Sequence, residues 1–186
     1  MGKTSIKKLQ IDSCRATPSD GTLLALATID VSQADFSKIT SMKWWISQDF
    51  TGEIIGLENI NTSSVTDFEY VLYGNYTGDY WNCYIPTYSM NNTSLDLSSW
   101  DVRNVTSQSY TIAFQGNLKS IDVSNWDWQS LQTLTRVVGH CTALEEIKGI
   151  EYWNVSNITA IILVLWGCPR IKSINLSYWH LSQVTS

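Results

Sequence analysis

Several features are missing from this chain of 186 residues, and each absence removes a class of protein. No apolar run reaches 18 residues, and the longest candidate, residues 158–166, is half the length a membrane-spanning helix needs. The opening residues contain Lys3, Lys7 and Lys8 but no apolar segment leading to a small-residue cleavage site, so they do not read as a secretory signal. Basic clusters stop at the pair Lys7-Lys8, and the net charge is -5, which leaves no electrostatic footprint for nucleic acid. The four cysteines, Cys14, Cys83, Cys141 and Cys168, include no C-x-x-C pair, which removes the common zinc and thioredoxin-like patterns. Gly2-Lys3-Thr4 has the tail of a phosphate-binding loop but not its glycine lead. His140 and His180 fall in different columns of the sequence pattern, and no catalytic triad, acid-base pair, metal cluster or cofactor site emerges, so the chain reads as a non-enzyme.

What is present is a repeat. An apolar column runs Ile29, Ile54, Leu95, Ile121, Ile147, Ile174, and a second runs Val31, Leu57, Leu97, Val123, Ile150, Leu176. A corner column reads Ala34, Ile60, Trp100, Trp126, Trp153, Trp179, at intervals of 26, 40, 26, 27 and 26 residues. The long interval is one period plus an insertion at about residues 75–90; the interval of 27 is absorbed by an extra residue near Gly149. Residues 118–143 form the clearest unit. Leu118, Ile121 and Val123 suggest a short strand, while Leu131, Leu134, Val137 and Val138 have the spacing of one face of a short helix. A fixed period with one strand per unit and an L-x-x-L-x-L pattern is that of a leucine-rich-repeat solenoid. The expected fold is therefore α/β: about six strand-corner-helix units of 26 residues with a parallel concave sheet, residues 26–186, preceded by an N-terminal cap over residues 1–25.

The segments LDLSSWDVRNVT, IDVSNWDWQSL, WNVSNIT and INLSYWHLSQVT, with Gly139-His140-Cys141 and Gly167-Cys168, resemble the BspA-type leucine-rich repeats of bacterial surface proteins. The resemblance covers residues 92–186 closely and residues 26–75 loosely, where Ala34 and Ile60 replace the corner Trp. It implies adhesion or recognition without catalysis, in a module similar in kind to repeats on bacterial surfaces and in some phage-encoded proteins. The chain departs from the surface-protein pattern in showing no signal peptide or anchor. Two roles follow as expectations. One is a recognition module that binds a protein or glycan on a cell surface; the other is a structural virion component, such as a decoration or fibre protein. The last rung, from Ile171, is expected to be covered by a second copy, another protein or further chain, because solenoids need capped ends.

Nine Trp and nine Tyr stand against four Phe, and such aromatics favour positions where one edge is buried and the other meets water or a ligand. The corner Trp residues are expected to stack as a structural ladder; a sugar-stacking role would require exposed edges. Binding is expected instead at the insertion, through Tyr76, Tyr80, Trp81, Tyr84 and Tyr88, because insertions in solenoids often line the binding face. A competing expectation is that the insertion folds back over Gln108, Thr111 and Gln115, which interrupt the apolar ladder. Asp96 and Asp122 belong to a polar strand-face column, Asp30, Ile55, Asp96, Asp122, Lys148, Asn175, which reads either as a ligand surface or as a solvated face. Cys141 and Cys168 share one column in adjacent units and read as small buried residues or as a disulfide.

Overall fold

The computed structural model describes residues 28–48, 50–77 and 85–185. The expected cap over residues 1–25 lies outside them. The chain winds as a parallel β-solenoid of about five turns, and each turn lays its short strands on those of the turn before. One face carries β1 (Thr28–Asp30), β3 (Glu53–Ile55), β6 (Ser94–Asp96), β8 (Ser120–Asp122) and β11 (Glu146–Lys148). Here β1 pairs β3, and β6, β8 and β11 pair in sequence, all in parallel. A second face holds β9 (Thr133–Thr135) and β12 (Ala160–Ile162), with single bridges linking Ser41, Asp67 and Ser107 in the earlier turns. The third face is the most continuous: β2 (Ile46–Gln48), β4 (Leu72–Thr77), β7 (Ile112–Ala113), β10 (Val138–Gly139) and β13 (Leu165–Trp166) lie side by side.

The solenoid, its period and its parallel sheets agree with the sequence. The helical return does not. Among the described residues the helical pieces are two 3-10 turns, Leu57–Asn59 and Ile150–Tyr152. Leu131, Leu134, Val137 and Val138 are indeed all buried, but Leu134 lies in β9 and Val138 in β10, joined by a corner at Arg136, which takes a left-handed φ of 49°. That corner resets the inside-outside alternation, so two extended segments imitate the spacing of a helix face. Thr133, Thr135, Val137 and Val138 are β-branched, which favours the extended form.

The apolar columns merge into one core running the length of the solenoid. The corner tryptophans stack within it: Trp100 on Trp126 at 6.4 Å, Trp126 on Trp153 at 5.7 Å and Trp153 on Trp179 at 6.0 Å, with rings within 16° of parallel. Each indole N–H donates to a carbonyl of the preceding rung, Trp100 to Leu57 at 3.0 Å, Trp126 to Leu97 at 2.9 Å, Trp153 to Val123 at 3.2 Å and Trp179 to Ile150 at 2.8 Å. An indole thus fills the corner and satisfies a buried backbone acceptor that would be costly unpaired. Because Trp100, Trp126 and Trp153 are buried, their edges are closed to a sugar.

Two chemistries turn the chain after the first-face strand. The Asp30, Asp96, Asp122 and Asn175 side chains accept from the backbone N–H two residues on, at Ser32, Ser98, Ser124 and Ser177. In the other two rungs a left-handed glycine, Gly56 at φ 87° or Gly149 at φ 86°, leads into a 3-10 turn. Gly149 is the extra residue behind the interval of 27.

The insertion is accommodated by side-chain amides. The Asn92 carboxamide donates to the Ile54 carbonyl at 2.8 Å and accepts from the Ile54 N–H at 2.9 Å, taking the place a neighbouring strand would occupy. Gln115 accepts from the Met90 N–H at 2.9 Å and donates to the Leu72 carbonyl at 3.2 Å. Gln108 donates to the Thr133 carbonyl at 3.2 Å and accepts from the Thr111 hydroxyl at 3.1 Å. The polar third rung is therefore buried and paired, as buried polar groups must be.

Candidate recognition surface

Along the third face the strand residues alternate. Leu72, Ile112, Val138 and Leu165 point inward; Tyr73, Ala113, Gly139 and Trp166 are their outward neighbours, register-paired across the sheet. Over these lies a second hydrophobic cluster, separate from the core, made of Tyr73, Ala113 and Phe114 with Trp44, Tyr70, Tyr110 and Trp166 packed against it.

Left-handed corners border this layer on both sides. Trp44, Tyr70, Tyr110, Arg136 and Leu163, one from each turn, have φ between 49° and 56°. Their repetition at one position per turn makes a ladder: Trp44 stacks on Tyr70 at 4.1 Å and 2°, Tyr70 on Tyr110 at 5.5 Å and 10°, and the Arg136 guanidinium sits 5.3 Å from the Tyr110 ring centre. Phe114 and His140 form the opposite border, stacked at 5.0 Å and 2°, with left-handed φ of 57° and 50°. Tyr73 lies edge-on between the borders, 5.3 Å from Trp44 and 5.1 Å from Phe114, and burial pushes its phenol well above the usual range. All four ladder side chains remain half-buried.

Tyr76 connects this layer to the insertion. The insertion is a β-hairpin in which β4 pairs antiparallel with β5 (Ile85–Tyr88), and Tyr76, 36% exposed, stacks on Phe114 at 4.4 Å. Of the other insertion residues expected to bind, Tyr80, Trp81 and Tyr84 lie outside the described residues, and Tyr88 is placed by its backbone in β5. The expected acids sit on a different sheet. Asp96 and Asp122 are register neighbours on the first face, each holding its own turn; Asp96 accepts from the Ser98 hydroxyl at 2.6 Å and Asp122 from Lys148 at 2.5 Å. Partial burial pushes the Asp122 carboxyl up, but Lys148 and Ser124 together hold it below the usual carboxylate range.

The second face adds a cleft. Backbone N–H groups of Thr66, Thr106, Thr159 and Thr185 each donate to the carbonyl one turn earlier. Among the described residues no such bond joins Gln132 to Thr106, and the gap opens into an uncharged cleft of about 480 Å3 lined by Thr106, Ser107, Gln108, Gln132, Thr133 and Thr135 among others. Thr135 precedes Arg136, so the cleft adjoins the Tyr110 end of the aromatic ladder.

The ladder column 44, 70, 110, 136, 163 has the same intervals as the corner column 34, 60, 100, 126, 153, so the repeat alone could have exposed it. Following only the inward-facing positions conceals it.

Fold and surface together define a parallel β-solenoid repeat protein with an aromatic outer face. Residues 22–113 and 82–186 match the family described as "Mycoplasma protein of unknown function, DUF285", and the chain belongs to that family. No curated protein and no solved structure matches it.

Proposed function

We propose that the protein is a non-enzymatic recognition module, of the kind found in BspA-like surface proteins, that meets a protein or glycan through its outer aromatic face and the hairpin beside it. The half-exposed ladder of Trp44, Tyr70, Tyr110 and Arg136 carries this reading. At left-handed corners Gly, Asn or Asp is the inexpensive choice, and a bulky residue there costs strain of order 1–2 kcal/mol. Placing aromatics at successive corners gives a row of rigid, amphipathic edges that bind at low entropy cost. Tyr76, stacked on Phe114 at the opposite border, carries the aromatic face toward the insertion, and the cleft beside the ladder supplies hydroxyl and carboxamide partners. Display at the surface of a cell or virion suits such a module.

Binding of the wild-type chain to an array of glycans and to a panel of purified extracellular proteins tests the proposal. Tyr110→Ala is expected to weaken whichever interaction is found by about tenfold, on the order of 1.4 kcal/mol, a size in keeping with a lost aromatic contact. Equal binding by Tyr110→Ala and wild type would remove the ladder from the site.

The last rung favours a second reading, assembly. Leu176, Tyr178 and Leu181 are 42%, 58% and 47% exposed, whereas Leu97 and Val123, in the column of Leu176, are fully buried. Sedimentation velocity is expected to show self-association that Leu176→Glu abolishes; a wild-type monomer at every concentration would count against it.

A further inference from the structure

Two thiols in neighbouring rungs have no part in the recognition surface. Gly139 and Trp166 are register partners in β10 and β13, and Cys141 and Cys168 follow them by two residues, so both cysteines hold the same place one rung apart. Their surroundings match: Cys141 Sγ lies 3.5 Å from the Gly139 carbonyl oxygen, and Cys168 Sγ lies 3.6 Å from that of Trp166. Equivalent Cα atoms on adjacent parallel strands are about 4.8 Å apart, inside the roughly 4.4–6.8 Å span that a disulfide bridges. The rungs are also pressed together beside the two cysteines. Gly167, at φ 66°, has the His140 Nδ1 only 2.6 Å from where a Cβ would stand, so the backbone before Cys168 lies directly on the residue before Cys141.

We propose that Cys141 and Cys168 are an oxidation site at which a small-molecule disulfide closes a covalent staple between the fourth and fifth rungs, the last two complete ones. The two cysteines differ in the way such a reaction requires. Cys141 is fully buried, whereas Cys168 is partly open to solvent. The neighbouring Cys141 thiol holds the Cys168 thiol below its ordinary value, while the same proximity and burial push the Cys141 thiol well up. Cys168 is therefore the attacking group and Cys141 the resolving one. After losing its proton to solvent, the Cys168 thiolate attacks one sulfur of the disulfide RSSR, forming a mixed disulfide and releasing RS⁻. Cys141 then attacks the Cys168 sulfur, giving its proton to that RS⁻; the Cys141–Cys168 bond forms, and a second RS⁻ leaves and is protonated from solvent. The net change is two protein thiols plus RSSR to one protein disulfide plus two RSH, with two electrons passing to RSSR.

Tryptic cleavage after Arg136, Lys148 and Arg170 separates the two residues into peptides 137–148 and 149–170, which makes the bond directly visible. The full chain is treated with oxidised glutathione, alkylated and digested without reductant. The expected product is the 137–148/149–170 cross-linked pair, absent in Cys168→Ser and in Cys141→Ser and lost on reduction. Oxidised wild type is also expected to melt several degrees above its reduced form, with no such difference in Cys141→Ser. Alkylation of both thiols after treatment, separate glutathione adducts on each, or pairing of either with Cys14 or Cys83 would overturn the proposal.

Discussion

Trp126→Ala is expected to destabilise the protein by about 3–5 kcal/mol, the range for emptying a buried Trp site. Trp126 is 1% exposed and sits at the centre of the ladder, stacked between Trp100 and Trp153 and meeting Trp128 edge-on at 5.4 Å. Its loss leaves a cavity spanning three rungs and strips the Leu97 carbonyl of its N–H donor. For a chain of this size the midpoint should fall on the order of 10 °C, which thermal unfolding followed by circular dichroism measures directly. Trp126→Phe separates the two contributions, since it keeps most of the ring and removes only the donor; a loss of about 1–3 kcal/mol is expected for the orphaned buried acceptor. If Phe costs nothing, the indole hydrogen bonds are incidental and the corner selects only for ring volume.

Gly149→Ala is expected to cost about 3 kcal/mol or more, through a different cause. A Cβ at this position would stand 2.1 Å from the Ser124 Cα and 2.5 Å from its Oγ, and the φ of 86° is itself strained for alanine. Backbone cannot yield as a flexible side chain can, so the fifth rung must lift from the fourth. In a solenoid each rung contacts only its neighbours, and damage of this kind stays local. Hydrogen exchange should therefore show lost protection in β11, β12 and β13, while β1 and β3 keep theirs. Gly139→Ala is the control, because a Cβ there meets the Trp166 ring at 3.4 Å, and a stability loss as large as that of Gly149→Ala would undercut the clash explanation.

The sequence revealed this fold because a solenoid writes each structural position repeatedly, so Ile121 is recognised by Leu95 and Ile147 above and below it. The extended return was less legible, since one left-handed residue such as Arg136 turns strand alternation into helix-like spacing. Gln108, Thr111 and Gln115 looked like faults in an apolar ladder; only in space is Gln115 seen to meet backbone groups beside the insertion, and Gln108 the Thr133 carbonyl and the Thr111 hydroxyl. The aromatic face was hidden for a related reason. Trp44, Tyr70 and Tyr110 become neighbours through the same period as the core, but they occupy corners where a repeat is expected to hold Gly or Asn. Asp96 and Asp122 were legible as a column, and their first use is holding the turns they begin.

The Asn92 carboxamide gives the insertion a further significance. Because one side chain completes the sheet edge at Ile54, the second and third rungs are held together across the insertion by Asn92 and Gln115 and by the pairing of β4 with β7, rather than by the length of chain between β4 and β5. The hairpin is thus uncoupled from the rung register. Residues can be gained, lost or exchanged at its tip without moving a core column, which makes this junction the place where descendants of one scaffold can diverge in what they display while the solenoid beneath them stays the same.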